Sequence, residues 1–180
     1  MIEIIKQERI ISESDTCIVV LNRLYHIVHT GLSEVNIDLD NYNYANFVTK
    51  CGVPKEKDLL NEYKKLLKLK HKNIIKVHGY DAISNVLKLE YIDGYDLIEF
   101  INTNLLHNNH IRYYFKQMLN SVQHVHMANI VHCDIKLENF MIDGKNKIKL
   151  IDFEFAIKNR SARNLCGTIE YLAPEILSDY

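Results

Sequence analysis

Asp134, Lys136 and Asn139 crowd into one short run, His132-Cys133-Asp134-Ile135-Lys136-Leu137-Glu138-Asn139, and further carboxylates follow in Asp152-Phe153-Glu154. These residue types can do chemistry together. A carboxylate can take up or orient the proton of a hydroxyl, and an ammonium can steady a phosphate. An amide oxygen and a second carboxylate are hard oxygen donors of the kind that hold Mg2+ against phosphates. Proton transfer at a hydroxyl, binding of an anion and holding of a hard cation are the chemistry open to such a set. The bland alternative is a polar loop between a helix and two strands whose residue types coincide by chance.

Periodicity indicates the elements that must position these residues. Ile111, Phe115, Met118, Leu119, Val122 and Val125 recur as one face of a long helix ahead of the polar run. Two short strands follow, Phe140–Ile142 and Ile148–Ile151, with a turn at Asp143-Gly144 between them. The first half is richer in strands: Tyr25–Val28, Ala45–Lys50, Ile74–Tyr80 and Val86–Tyr91. Pro54 opens a helical segment in which Leu59, Tyr63, Leu66 and Leu67 recur at helical spacing. A β-rich part thus precedes a helical part, with the change near Glu90–Gly94.

Composition bounds the answer. The 180 residues are 47% hydrophobic and 25% charged, ordinary for one sizeable globular domain or two small lobes. A net charge of −1 offers no global field for nucleic acid or anionic lipid. Cys17, Cys51, Cys133 and Cys166 are scattered without a CxxC pair, so they read as reduced thiols in a cytoplasmic setting. The longest apolar run, Cys17 to Leu21, is too short to span a bilayer, and no signal-peptide pattern opens the chain. The expected partners therefore exclude nucleic acid and membrane. Lys64, Lys65, Lys68, Lys70, Lys72 and Lys76 are better read as a solvated face than as an RNA patch. His107 with His110 and His124 with His126 lack the cysteines or carboxylates that would complete a metal site.

The ordered motifs H-C-D…N, D-F-E and Ala173-Pro174-Glu175 resemble the H-R-D…N, D-F-G and A-P-E set of the protein kinase superfamily, Ser/Thr type. The resemblance covers nearly the whole chain. Ile27-Val28-His29-Thr30-Gly31-Leu32-Ser33-Glu34-Val35 is similar to a degraded glycine-rich loop, and Phe47-Val48-Thr49-Lys50 to the V-A-I-K strand. Leu87-Lys88-Leu89-Glu90-Tyr91-Ile92-Asp93-Gly94 resembles the hinge between lobes. The resemblance implies an α+β, two-lobed fold: a complete small lobe over 1–92, and a large lobe over 93–180 cut short after A-P-E. It implies ATP and Mg2+ as cofactors and a protein as substrate.

Roles follow from the same likeness. Asp134 is implied as the catalytic base, Lys136 as the γ-phosphate ligand, and Thr168 as the bridge between them. Asn139 and Asp152 are the implied metal ligands. Lys50 and Glu62 are the expected ion pair on the nucleotide phosphates. Val35, Val48, Leu89 and Met141 are expected against the nucleotide, the backbone of Glu90 and Ile92 on adenine, and Asp96 on ribose. Leu66, Val77, His132 and Phe153 are expected to stack through the interior.

The sequence also departs from the pattern. Cys133 replaces the arginine of H-R-D, and Asn164 stands where relatives carry a phosphorylated threonine, which together argue against phospho-activation. Glu154 replaces a glycine, so a strained metal loop is expected. Val28 and Thr30 replace loop glycines, so nucleotide affinity should be weakened. An end at Tyr180 would leave the apolar helix face short of cover, which suggests self-association or docking onto a full-length kinase. A non-catalytic, kinase-like regulator is the alternative function.

Overall fold

The structure, a computed structural model, describes the backbone of residues 2–14, 17–28, 45–52, 59–158 and 167–178. Contacts divide the chain into two compact units, one of residues 1–60 and 78–91, the other of 61–77 and 92–180. The second therefore takes in residues 61–77, from within the sequence range expected for the first lobe.

The first unit is built on a sheet of order β1-β2-β3-β5-β4. Its strands are β1 (Ile2–Ser14), β2 (Cys17–Val28), β3 (Ala45–Gly52), β4 (Val77–Asp81) and β5 (Val86–Glu90). β1 was not anticipated, and β2 extends the expected Tyr25–Val28 strand back to Cys17. The pair is antiparallel, with a register shift between Ile10 and Ser12. In β3, Val48 pairs with Leu89 and Lys50 with Leu87, so alternate residues set the two faces. Val48, Leu87 and Leu89 are buried. Lys88 holds its ammonium 3.7 Å from the centre of the Phe47 ring. The β4–β5 turn closes on Asp81, whose carboxylate accepts from the Ile83 N–H and the Ser84 hydroxyl.

Helix α1 (Leu59–Leu66) forms within the expected helical segment, whose start at Pro54 lies outside the described residues. Its buried residues are Leu59, Glu62, Lys65 and Leu66, whereas Leu67, expected on that face, is half-exposed. Residues 67–76 then run as turns and extended chain, so the expected Ile74–Tyr80 strand starts three residues later, as β4, and Ile74 itself makes only a single parallel bridge to Leu150.

The second unit continues with β6 (Gly94–Asp96), α2 (Leu97–Thr103), α3 (Asn108–Met127), β7 (Ile130–Val131), β8 (Phe140–Asp143), β9 (Ile148–Leu150), β10 (Ile157–Lys158) and α4 (Pro174–Ser178). Strands β6, β8 and β9 form one antiparallel sheet, and β7 pairs with β10. Gly94 is needed where it stands, because a Cβ there would strike the Ile142 carbonyl. Phe140, Ile142, Ile148, Leu150 and Phe153 are fully buried and form the local core.

Helix α3 buries Val125 of the expected apolar face and partly buries Met118 and Val122, but it corrects the rest of that face. Its buried residues are Tyr114, Gln117, Ser121 and Val125, while Ile111, Phe115 and Leu119 are about half-exposed at 50%, 55% and 53%. Two polar residues of this stripe, Tyr114 and Gln117, are buried because they hydrogen-bond the β8–β9 hairpin. Tyr114 donates to Asn146 Oδ1 at 3.0 Å, Gln117 Nε2 to the Asn146 carbonyl at 3.1 Å, and the Ile148 N–H to Gln117 Oε1 at 3.1 Å. The hairpin turn is also longer than Asp143-Gly144 alone. Asp143 Oδ1 accepts the N–H groups of Lys145 and Lys147, and the left-handed residue is Asn146 (φ 59°).

Candidate active site

The 3₁₀ turn Leu137–Asn139 leads straight into β8, and β9 leads into Asp152. Because Phe140 pairs with Leu150, Asn139 and Asp152 lie at the same end of this hairpin. The Ile151 N–H donates to the Asn139 carbonyl at 2.9 Å and locks that end. Antiparallel pairing therefore places at one end of the hairpin two residues with oxygen-bearing side chains that the sequence separates.

Asp134 is the hub of the site. It is buried, and its Oδ1 accepts from the Thr168 N–H at 2.9 Å and the Thr168 hydroxyl at 2.7 Å. Its Oδ2 accepts from Asn139 Nδ2 at 2.9 Å and is paired with Lys136 Nζ at 3.2 Å. Lys136 Nζ also donates to Thr168 Oγ1 at 2.8 Å, so Thr168 touches both the carboxylate and the ammonium. Burial alone would raise the Asp134 pKa. The hydrogen bonds from Thr168, Lys136 and Asn139, with the Lys136 charge, outweigh it and hold the carboxyl below its ordinary value.

The backbone around this hub is unusual. Cys133 and Asp152 adopt left-handed φ values of 69° and 55°, uncommon for residues with a side chain and typical of functional loops. Glu154 does not, so the strain expected of it falls on Asp152 instead. Gly167 has φ 105°, and a Cβ there would meet the Cys133 carbonyl. The approach of Gly167 to Cys133 is what presents Thr168 to Asp134.

His132 supports the hub from below. Its Nδ1 accepts the Asp134 N–H at 3.3 Å while Nε2 donates to the Ile151 carbonyl at 3.1 Å, assigning the tautomer. Burial lowers its pKa, and the Ile151 bond with the charges of Asp152 and Asp134 only partly offsets this, so the ring is neutral. Phe153 packs edge-on to His132 at 4.7 Å, and Leu66, from the same expected stack, is buried. The Phe153 N–H donates to Glu62 Oε1 at 3.2 Å.

The remaining expected residues are distributed as follows. Lys50, Val48, Leu89 and Glu90 lie on β3 and β5 of the first unit, and Glu62 and Ile92 in the second. Met141 on β8 pairs with Asp96 on β6. Asp96 has a structural role as the N-cap of α2, its Oδ1 accepting the Glu99 N–H at 2.8 Å. Helix α2 was not anticipated, although Asp96 with Glu99 three residues on has the spacing of a capping box. Val35, Asn164 and Cys166 lie outside the described residues, as does most of the expected glycine-rich loop. Neither the importance of Gly167 nor the role of Gln117 in bracing the hairpin was foreseen. The first needed the φ angle and the second the fold.

The donor set fits Mg2+. Asn139 spends its Nδ2 on the Asp134 carbonyl at 2.8 Å and on Oδ2, leaving an amide oxygen to offer a cation, and Asp152 supplies a carboxylate. Among the described residues, no group of three or more His, Cys, Asp or Glu side chains is arranged to hold a metal.

The family model described as the protein kinase domain matches residues 45–180, and the chain belongs to that family. It is 34% identical over 128 residues to an Aurora kinase of Eremothecium gossypii, covering 68% of this chain and 35% of that protein. It is 33% identical over 120 residues to CBL-interacting protein kinase 9 of Oryza sativa subsp. japonica, covering 62% and 26%. A cAMP-dependent protein kinase catalytic subunit-like protein of Caenorhabditis elegans is 34% identical over 122 residues, covering 66% and 31%. The matched part thus spans about a quarter to a third of the length of these relatives. The α+β fold agrees with the family. Among the described residues, no helix is long and apolar enough to cross a membrane.

Proposed function

We propose that this chain transfers the γ-phosphate of ATP to a serine or threonine hydroxyl of a protein. The observation that carries the reading is the Asp134 carboxylate held by Thr168, Asn139 and Lys136 at 2.7–3.2 Å. A carboxylate fixed and kept ionised in this way can orient a hydroxyl and accept its proton. Lys136, beside it, would neutralise charge on the moving phosphate. Asn139 and Asp152 would hold Mg2+, which when bound neutralises the phosphate oxygens and orients them for displacement. Lys50 and Glu62 would position the α- and β-phosphates. Val48, Leu89 and Met141 would pack on the base, the Glu90 and Ile92 backbone would bond it, and Asp96 would reach the ribose.

The test is a nucleotide-dependent shift in melting temperature followed by a phosphotransfer assay. A ligand that binds only the folded state raises its stability by mass action. Millimolar Mg-ATP should raise the melting temperature, Lys50→Met should abolish the rise, and a generic Ser/Thr substrate should be labelled. Binding without any transfer would favour the kinase-like regulator, and no shift at any nucleotide concentration would remove the enzyme reading.

A further inference from the structure

Outside the site, the second unit holds a pair of histidines that the chemistry above does not use. His71, in the segment after α1, stacks on His124 of α3 with ring centroids 4.9 Å apart and planes at 21°. His71 Nδ1 accepts the Asn73 N–H at 3.2 Å, so in the neutral ring the proton sits on Nε2. Asn73 is the fastening of this segment. Its Nδ2 donates to Gln117 Oε1 of α3 at 2.9 Å and to the Ile148 carbonyl of β9 at 2.7 Å. Its carbonyl accepts the Leu150 N–H at 2.9 Å, and the Ile75 N–H donates to the Leu150 carbonyl at 3.0 Å. Leu150 lies two residues before Asp152.

We propose that the His71–His124 stack is an acid-sensitive latch that holds segment 71–75 on α3 and β9 while the His71 ring is neutral and releases it when that ring charges. The proton that ionises His71 must go to Nδ1, the atom that accepts the Asn73 N–H. The acceptor then becomes a donor facing a donor, and the bond is lost. The new cation would also lie against a second imidazole. None of the described elements packed here supplies an anion to steady it. Residues 67–77 contain four lysines and no carboxylate, and Lys72 is the next residue. Helix α3 carries Arg112, Lys116 and three histidines but no carboxylate along its 20 residues, and it presents His124 to the ring. Strand β9 contributes only Lys149, which alternates away from the face of Ile148 and Leu150. Burial, His124 and Lys72 together hold the basicity of His71 below that of free imidazole. The unfolded chain therefore takes up this proton first, so the stability the latch contributes is complete above the ordinary imidazole value and is lost as the pH falls below it.

Hydrogen exchange on the full chain, corrected for intrinsic rates, tests the latch without reference to phosphotransfer. Between pH 7.5 and 5.5, the amides of Asn73, Ile75 and Leu150 should lose protection at least tenfold relative to that of Ile142. His71→Asn offers a non-titrating acceptor to the Asn73 N–H in an Asx turn, and it should remove this selective loss. His132 is also buried and neutral, so only the difference between native chain and variant isolates the latch. An equal loss in the variant, or none in the native chain, overturns the proposal. A ring titration by NMR covers the case in which the variant does not fold. His71 must titrate below the ordinary imidazole value with the Asn73 amide shift following it. A normal titration that leaves that amide unmoved also overturns the proposal.

Discussion

Thr168 donates to a single oxygen of Asp134 twice, from its backbone N–H at 2.9 Å and from its hydroxyl at 2.7 Å. The same hydroxyl accepts from Lys136 at 2.8 Å, so one side chain fixes both the carboxylate and the ammonium. Removing the hydroxyl takes one hydrogen bond from each and loosens both, although the Thr168 N–H, Asn139 and the Lys136 pair still hold Asp134. Thr168→Ala is expected to lower kcat on the order of 10²-fold, the scale of a reacting group misplaced by about an ångström. Thr168→Ser keeps the oxygen and should retain most of the rate. Steady-state kinetics of the two variants decide the matter, and equal losses would mean that the methyl group, not the bridge, is what matters.

Asp134 should set a pH profile that differs between native chain and variant. Its folded pKa lies below the ordinary carboxylate value, so its bonds contribute stability above that value and lose it as the pH falls through the folded pKa. Between pH 5 and 8 the native carboxylate stays charged, and no acid limb in kcat should come from it. Thr168→Val removes the donor whose hydrogen bond lowers the Asp134 pKa most, so its acid limb should move to higher pH. Asp134→Asn should cost between about 10² and 10⁴-fold in rate, the range of general acid–base catalysis, while leaving nucleotide binding in place. Parallel pH profiles for Thr168→Val and the native chain would contradict this account.

The cluster around Asp134 is legible in the sequence because its residue types are contiguous and local turns decide their geometry. Asp134, Lys136 and Asn139 lie within one turn-rich stretch, and Thr168 was placed by its motif. The buried stripe of α3 was misread for a physical reason. Apolar periodicity picks out Ile111, Phe115 and Leu119 along with Val125, but of these only Val125 packs fully; the buried stripe instead holds Tyr114, which bonds the Asn146 side chain, and Gln117, which satisfies hairpin backbone groups. Hydrophobic pattern cannot reveal which backbone groups will need partners. Strand β1 mixes charged residues with isoleucines and offers no clean alternation, so its pairing with β2 emerged only in three dimensions.

Gly167 and Glu154 make a contrasting pair for backbone strain. Gly167 occupies φ 105° with the Cys133 carbonyl where a Cβ would go. Gly167→Ala should therefore displace Thr168 and cost roughly 1–3 kcal/mol, with a loss of activity beyond what the change in stability explains. Glu154 has no left-handed φ to relieve. Glu154→Gly should instead lower stability by roughly 0.5–1 kcal/mol through unfolded-state entropy. Urea unfolding of both variants checks the signs, and a stabilised Glu154→Gly chain would show that the glutamate does strain its loop.

Gln117 ties three segments together at one buried point. Its Oε1 accepts from Asn73 Nδ2 at 2.9 Å and from the Ile148 N–H at 3.1 Å, and its Nε2 donates to the Asn146 carbonyl at 3.1 Å. Gln117→Leu has similar bulk and should fill the space, but it leaves those partners facing an apolar group. Each buried polar group left without a partner costs about 1–3 kcal/mol. The expected loss is therefore about 3 kcal/mol or more, large against the stability of a domain of this size. Gln117→Glu keeps both acceptor contacts and loses only the donor, so at a pH low enough to protonate the new carboxyl it should recover part of the loss. Urea midpoints at two pH values would show this. A Leu variant as stable as the native chain would mean that water reaches these groups and that the hairpin is braced elsewhere.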